Sequence, residues 1–210
     1  MNITIIGASS GLGLETVKRA LERNHQVITL SRSEVQLPEH PNLIKLKGDA
    51  TKKEDVVRSI SGTDALIVTL GTGQSRKPTT LYSDFARLLL EIHKAKKLSI
   101  PVIVLTGFGA GNSAKYNSLI MRILFWLLLK DVYADKTAME ETIATSGMRW
   151  VIARPGRLTD GPLTEEYRVE NRLFKGVNIG SISRSDVADY LVRQAENPID
   201  LFRYPALSEQ

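Results

Sequence analysis

Short apolar runs alternate along the chain with stretches in which apolar residues recur every three or four positions. The runs predict strands at Ile3–Ile6, Gln26–Leu30, Leu43–Lys47, Ala65–Leu70, Val102–Thr106 and Trp150–Arg154. Several of them are apolar almost throughout, which is typical of strands in a parallel sheet that is covered on both faces. The alternation therefore predicts one doubly wound α/β domain over residues 1–210, with a mostly parallel sheet.

Amphipathic helices are expected between these strands. The apolar positions of the first two are Leu14, Val17 and Leu21, and then Leu81, Phe85, Leu88, Leu89 and Ile92. A later helix is expected to begin near Ser183, with Asp186 as the acid of a capping box, and to end at Asn197-Pro198. Longer irregular stretches run from Gly107 to Lys115 and from Gly156 to Asn178. Because long connections in compact folds are commonly functional, substrate contacts are expected there.

Composition narrows the possible classes of protein. The chain has no cysteine, which excludes disulfides, thiolate metal sites and cysteine nucleophiles and favours the cytoplasm. Its 28 Lys and Arg against 23 Asp and Glu give a net charge of +5, which helps to attract phosphorylated ligands. No cluster of basic residues accompanies this charge, so nucleic-acid binding is not expected. His25, His40 and His93 lack the spacing of metal ligands; we expect no metal and place all three at the surface.

The longest apolar run, Leu119–Leu129, is well short of the roughly 18 to 20 residues that cross a bilayer, so no membrane span is expected. Met1 to Ile6 leads directly into the first strand and shows no secretory signal. Three readings of Leu119–Leu129 stay open: a helix buried on the sheet, an oligomer face, or an apolar wall over a planar substrate.

A glycine-rich turn, Gly7-Ala8-Ser9-Ser10-Gly11-Leu12-Gly13, joins the first strand to the first helix. Glycines permit a tight turn and let backbone amides approach a pyrophosphate, while the helix dipole stabilises its negative charge. Ser9 and Ser10 can add hydroxyl donors. The turn therefore predicts the diphosphate site of a dinucleotide in a Rossmann-type fold, with a turn that binds no ligand as the alternative.

The spacing of these glycines resembles the GxxxGxG turn of the short-chain dehydrogenase/reductase superfamily. After the second strand, where an acid would bind a ribose 2′-hydroxyl, this chain has Ser31-Arg32-Ser33. A cation there accommodates a 2′-phosphate, so the resemblance implies that Arg32 favours NADP(H) over NAD(H). The alternative for Arg32 is an ordinary exposed loop arginine.

The same resemblance implies cofactor contacts at the ends of the later strands. Asp49, followed by Ala50, is similar to the residue that contacts the adenine, although a helix-capping aspartate would look the same. Leu70-Gly71-Thr72 is expected to pass beside the cofactor, and Thr106-Gly107 and Pro155-Gly156 to flank the nicotinamide. These residues sit at successive carboxyl ends of the predicted sheet, where open α/β folds bind their ligands.

Later motifs sharpen the resemblance. Tyr133 to Lys136 and the stretch from Arg154 to Pro162 resemble the atypical, NmrA-like short-chain family. Gly71-Thr72, Pro78-Thr79-Thr80 and Asp160 to Thr164 with Tyr167 are similar to the flavin reductase/biliverdin reductase B type. The resemblance covers essentially the whole chain. It implies an NADPH-dependent reductase that passes hydride to a small flat or carbonyl-bearing acceptor, such as a flavin or quinone, or alternatively an NADP(H) sensor without turnover.

Lys136 and Tyr133 are the candidate catalytic residues. Lys136 shares a helical face with Met139 and Ile143, so its side chain is expected to point toward the sheet. In the superfamily such a lysine binds the nicotinamide ribose and assists a tyrosine four residues earlier. Here Tyr133 lies three residues earlier, about 100° around the helix from that position, so a packed aromatic is the alternative role.

Two further positions depart from the flavin reductase pattern. Gly107 stands where that family has a serine after threonine, and Arg157 stands where it has a histidine. Glycine offers only its backbone, and a guanidinium stays protonated near neutral pH. The resemblance therefore supports cofactor binding more firmly than any particular proton donor.

Overall fold

The computed structural model describes residues 1–73, 75, 77–116 and 128–210. These ranges contain ten strands, namely β1 (Asn2–Ile6), β2 (Gln26–Ser31), β3 (Leu43–Lys47), β4 (Ala65–Val68), β5 (Pro101–Leu105), β6 (Arg149–Pro155), β7 (Arg157–Thr159), β8 (Tyr167–Glu170), β9 (Ser181–Ser183) and β10 (Ala206–Glu209). The same ranges contain five α-helices, namely α1 (Gly11–Glu22), α2 (Lys53–Ser59), α3 (Leu81–Lys96), α4 (Lys130–Ala144) and α5 (Arg184–Glu196), together with a 3₁₀ helix, Gly111–Tyr116.

One large sheet organises the described chain. Its strand order is β3-β2-β1-β4-β5-β6-β10-β8, and neighbouring strands run parallel except β10 and β8, which are antiparallel. A separate parallel pair is formed by β7 and β9. The order from β3 to β6 is that of dinucleotide-binding doubly wound folds. The predicted α/β fold with a mostly parallel sheet is confirmed.

Both faces of this sheet are covered by helices. Ile3 and Ile5 pack on one face with residues of α1 and α5, whereas Ile6 packs on the other face with residues of α3 and α4. Because successive residues of a strand point to opposite faces, a strand between two helical layers buries the side chains of both faces and is mostly apolar. This explains the uninterrupted apolar runs in the sequence.

The stretches predicted to be irregular contain short regular elements. The 3₁₀ helix begins within 107–115 and ends one residue beyond it, at Tyr116. Strands β7 and β8 lie within 156–178. Strands of three or four residues are too short to show a periodic pattern. The predicted strand to Leu70 is also too long, because β4 ends at Val68 and Thr69 turns toward the glycine-rich turn, where its hydroxyl donates to the Gly7 carbonyl at 3.3 Å.

The predicted start of α5 is confirmed, and the predicted capping box of Ser183 and Asp186 is formed in part. Ser183 is the N-cap, and its hydroxyl accepts from the amide of Asp186 at 3.0 Å. The Asp186 carboxylate accepts from the Ser183 hydroxyl at 2.9 Å. It also accepts from the amides of Thr164 and Glu165, at 2.8 and 2.9 Å. Asp186 therefore ties the connection between β7 and β8 to the first turn of α5.

The placement of His25 at the surface is wrong. This residue is 8% exposed, and its Nε2 lies 2.7 Å from Glu196 Oε1, because the turn after α1 packs against the end of α5. Arg23 binds the same carboxylate through two nitrogens, at 2.8 and 2.7 Å. His40 is exposed and His93 is half-buried.

Residues 117–127 lie outside the described chain, so the three readings of Leu119–Leu129 stay predictions. Leu128, which is described, is 40% exposed. Within the described ranges, no helix is long and apolar enough to cross a membrane. Nor do His, Asp and Glu side chains in those ranges form a group that could hold a metal ion.

Candidate active site

A cleft of about 1200 Å³ lies along the carboxyl ends of β1 to β6. Parallel strands end at the same edge of a sheet, so residues far apart in sequence meet there. The predicted site residues that line the cleft are Gly7, Ser9, Ser10, Gly11, Leu12, Gly13, Arg32, Asp49, Ala50, Leu70, Gly71, Thr72, Thr106, Gly107, Tyr133, Lys136, Pro155 and Gly156. Ala8 does not line it, because its side chain is fully buried in the core.

Two glycines of the turn are required by close packing. Gly7 has a φ of +94°, and a Cβ there would lie 2.7 Å from the Thr69 carbonyl oxygen. A Cβ on Gly13 would lie 2.1 Å from the Gly7 carbonyl oxygen. Neither position can carry a side chain without moving backbone, so both glycines bring α1 against the ends of β1 and β4.

Gly11, unlike Gly7 and Gly13, is not required by close packing. It begins α1 with a φ of +52°, and the nearest described atom to a Cβ there is Arg184 Nε at 4.0 Å. Ser10 precedes it in extended conformation and, within the described chain, its side chain caps no amide; the first turn also lacks an acid. The amides at the start of α1 therefore meet open cleft, with the positive end of the helix dipole behind them. This arrangement can hold an anionic group.

Arg32 and Asp49 lie at the β2 and β3 end of the cleft. Asp49 Oδ1 accepts from the amide and the hydroxyl of Thr51, each at 2.9 Å. The bond from the Thr51 amide, followed by that from its hydroxyl and the charge of Arg32, lowers the pKa of Asp49 despite partial burial. The helix-capping reading of Asp49 is wrong, since Lys52 is the N-cap of α2 and Asp49 caps a turn instead.

Lys136 and Tyr133 line the cleft from α4. Lys136 Nζ donates to the Thr106 carbonyl at 2.6 Å and lies 5.2 Å from the centre of the Tyr133 ring. Burial lowers the pKa of Lys136 to about 8, although the charge of Glu140 opposes this shift. Burial also raises the pKa of the Tyr133 hydroxyl to about 12. At neutral pH the site therefore holds an ammonium group beside a protonated phenol.

The Tyr133 hydroxyl stands against Gly107. Gly107 has a φ of +146°, and a Cβ there would lie 3.0 Å from the Tyr133 hydroxyl oxygen. The phenol thus fills the space beside residue 107 that a larger side chain would need. Tyr133 therefore packs against Gly107 and also lines the cleft.

A buried polar network behind the cleft was missed by the sequence reasoning. Thr106 Oγ1 donates to Glu140 Oε1 at 2.6 Å, and Arg154 donates to the two oxygens of Glu140 at 3.0 and 2.6 Å. Both side chains of the Glu140–Arg154 ion pair are 2% exposed. The network holds the Thr106 hydroxyl away from the cleft, while the Thr106 carbonyl binds Lys136. The available signals were an arginine inside an apolar strand and an acid one helical turn after Lys136.

Tyr82 and Asp135 were also missed. The Asp135 carboxylate accepts from the amides of Tyr82 and Ser83 at 2.9 and 3.1 Å, so it caps the first turn of α3 from α4. Tyr82 lines the cleft, and its ring centre lies 5.4 Å from Lys136 Nζ. The start of α3 is thereby fixed to the helix that carries Tyr133 and Lys136.

The chain is similar to enzymes of several activities. It is 26% identical over 201 residues to the uncharacterized sugar epimerase YhfK of Bacillus subtilis (strain 168), covering 91% of this chain and 86% of that protein. It is 36% identical over 67 residues to a 3-beta-hydroxysteroid dehydrogenase of Mycolicibacterium neoaurum, a match that spans 32% of this chain and only 18% of that enzyme.

A solved structure shares the fold over the full length. The anaerobilin reductase ChuY of Escherichia coli O157:H7 superposes with a TM-score of 0.78 at 22% identity, covering 100% of this chain and 97% of that one. The model of a family described as NAD(P)H-binding matches residues 7–198, a range that includes the glycine-rich turn, Tyr133 and Lys136. The predicted resemblance to NAD(P)H-binding proteins is thus confirmed, and the chain belongs to the NAD(P)H-binding family.

Proposed function

We propose that this protein is an NADPH-dependent reductase whose acceptor is a small flat or carbonyl-bearing molecule. The observation that carries the proposal is one continuous cleft that joins the open amides of α1 and Arg32 to Tyr133 and Lys136. Bound NADPH supplies a hydride to the acceptor and leaves as NADP⁺, while one proton completes the reduction. The protein binds the cofactor and the acceptor, orients them, and excludes water from the cleft.

The adenosine half is assigned to the β1–β3 side of the cleft. The amides of Gly11 to Gly13 bind the diphosphate, since no described side chain occupies them. Arg32 is exposed and its guanidinium makes no hydrogen bond or ion pair within the described chain, so it is available for a 2′-phosphate. Ser31-Arg32-Ser33, at the end of β2, contains no acid that would select a 2′-hydroxyl instead.

The nicotinamide half is assigned to the β5 and β6 ends. Lys136 Nζ has donor capacity beyond its bond to the Thr106 carbonyl and binds ribose hydroxyls. Thr106, Gly107 and Pro155-Gly156 form the walls beside the ring. With its pKa raised to about 12, Tyr133 keeps its proton at physiological pH and donates a hydrogen bond to the atom of the acceptor that is being reduced.

An NADP(H)-binding sensor without turnover is the second candidate. Two observations about possible proton donors favour it. The high pKa of the Tyr133 hydroxyl makes this group a weak acid, and the Thr106 hydroxyl already donates its hydrogen bond to Glu140. The two candidates share the cofactor site and differ only in the acceptor step. Steady-state oxidation of NADPH with flavin, quinone and aldehyde acceptors separates them.

In that assay we expect turnover with at least one acceptor class, and a loss of about 10²-fold or more in Tyr133→Phe if the hydroxyl supplies the proton. Unchanged NADPH affinity in the variant would show that the site is intact. Tight NADPH binding with no oxidation above the uncatalysed rate for any acceptor would favour the sensor.

Cofactor choice is tested by calorimetric titration with NADPH and NADH. We expect the parent to prefer NADPH, and Arg32→Ala to weaken NADPH about five- to tenfold while leaving NADH unchanged, as expected for one exposed charge-assisted contact. Arg172→Ala is the matched control, because Arg172 is an exposed arginine outside the cleft. Equal affinity of the parent for both nucleotides would contradict the assignment of Arg32.

A further inference from the structure

The arginines of this protein divide into two groups by what their guanidinium groups contact. Most of those in the described chain hold a carboxylate or a carbonyl oxygen, at Arg19, Arg23, Arg58, Arg87, Arg149, Arg154, Arg168, Arg184, Arg193 and Arg203. Within the same described ranges, Arg32, Arg157 and Arg172 have guanidinium groups without such a partner. Arg32 and Arg157 line the cleft, at its two ends.

Arg157 projects from a fixed base. It begins β7 and is paired in register with Ser181 of β9, and its amide donates to the Gly180 carbonyl at 3.0 Å. A Cβ on the preceding Gly156 would lie 1.9 Å from that same carbonyl oxygen, so the two backbones are in close contact. The exposed Arg157 side chain therefore has a rigid point of attachment beside the predicted nicotinamide wall.

Arg157 forms no ion pair within the described residues, and Glu209, the acid beside its ladder partner Ser181, accepts from the Ser181 hydroxyl at 3.0 Å. Phe108, Leu158 and Ile179 line this end of the cleft. Asp49 is the one carboxylate among the described lining residues. It follows β3, and four strands of the sheet separate β3 from β6, the strand that precedes Arg157. A cation that forms no ion pair within the described chain, at the edge of an apolar surface, is complementary to an anionic group on a largely apolar molecule.

We propose that Arg157 is the specificity-determining residue for the acceptor and binds an anionic substituent, a phosphate or a carboxylate, on a flat ring system. The ring lies against Phe108, Leu158 and Ile179, and the guanidinium holds the anion through charge-assisted hydrogen bonds. This inference rests on the proposed reductase function, because it requires the acceptor to stack at the Pro155-Gly156 end. Among the described lining residues, Arg157 is the one cation that the cofactor proposal leaves unused.

FMN and riboflavin form the test pair, since they share the isoalloxazine ring and differ by a terminal phosphate. With NADPH as donor, the parent should show a KM for FMN at least about fivefold below that for riboflavin, the size of one exposed charge-assisted contact. Arg157→Ala should raise the KM for FMN to that for riboflavin and leave the latter and the Kd for NADPH unchanged. Arg157→Lys should restore part of the preference, and the control Arg172→Ala, with the same change in net charge, should behave as the parent.

Direct binding of each flavin, followed by quenching of its fluorescence, gives a readout that does not depend on turnover. Equal effects of Arg157→Ala on FMN and riboflavin, or a parent that does not distinguish or does not bind the two flavins, would overturn the inference. So would a weakened Kd for NADPH in Arg157→Ala, because Arg157 would then belong to the cofactor site. Failure of the proposed function is seen separately, as a parent that does not bind NADPH.

Discussion

Gly11→Ala tests whether a diphosphate approaches the amides at the start of α1. Gly11 has a φ of +52°, a conformation that costs an L-residue about 1 to 2 kcal/mol. The new methyl would meet only Arg184 Nε, at 4.0 Å, so no clash adds to this cost. For a chain of this size the melting temperature should fall by roughly 2 to 8 °C, and the fold should survive.

The effect on the cofactor should be larger than the effect on the fold. Because the methyl projects into open cleft beside the amides, it occupies the space through which phosphate oxygens reach them. We expect NADPH affinity to fall by at least about tenfold, or 1.4 kcal/mol. Isothermal calorimetry at a temperature well below the melting point of the variant measures this loss without interference from unfolding.

Gly62→Ala is the matched control. Gly62 has a φ of +73°, no described atom lies within 4 Å of a Cβ there, and the residue is outside the cleft. Gly62→Ala should therefore carry a similar loss of thermal stability with unchanged NADPH affinity. If Gly11→Ala binds NADPH as tightly as Gly62→Ala and the parent, the diphosphate does not lie against Gly11 and the reasoning is refuted.

Three further predictions concern the chemistry end of the cleft. Glu140→Gln should lower the free energy of unfolding by about 3 to 5 kcal/mol in urea titrations, because it leaves the buried Arg154 charge uncompensated; a change below about 1 kcal/mol would contradict the network. The kcat/KM for NADPH should fall as the pH rises through about 8, since Lys136 is protonated below that pKa, and Lys136→Arg should abolish the fall; a flat profile in the parent would count against this role. Gly107→Ala places a Cβ 3.0 Å from the Tyr133 hydroxyl, so kcat should drop about tenfold with little change in NADPH affinity, and an unchanged kcat would exclude Tyr133 from the chemical step.

The layered architecture could be predicted from local patterns. Strands such as β4 and β5 are apolar at every position because both faces of the sheet are buried, and that pattern is visible in the sequence. The edge elements β7, β8 and β9 could not be found in the same way, since three or four residues carry too little periodicity. Their positions depend on contacts between distant segments, such as that of Asp186 with Thr164.

The candidate site likewise has one part that the sequence predicts and another that only the structure shows. The glycine-rich turn is contiguous, so its spacing identifies both the fold and the cleft. The groups around Lys136 come from separate elements, and only the folded chain shows that the Thr106 carbonyl binds Lys136 while the Thr106 hydroxyl binds Glu140. His25 shows the same limit, because its burial depends on Glu196, at the far end of the chain.

A structure of this protein in complex with NADP⁺ would show where the diphosphate binds. We expect the diphosphate to lie within hydrogen-bonding distance of the amides of Gly11 to Gly13, with the 2′-phosphate at Arg32 and the nicotinamide beside Thr106. A diphosphate bound anywhere else in the cleft, or a nucleotide whose 2′-phosphate points away from Arg32, would contradict this expectation.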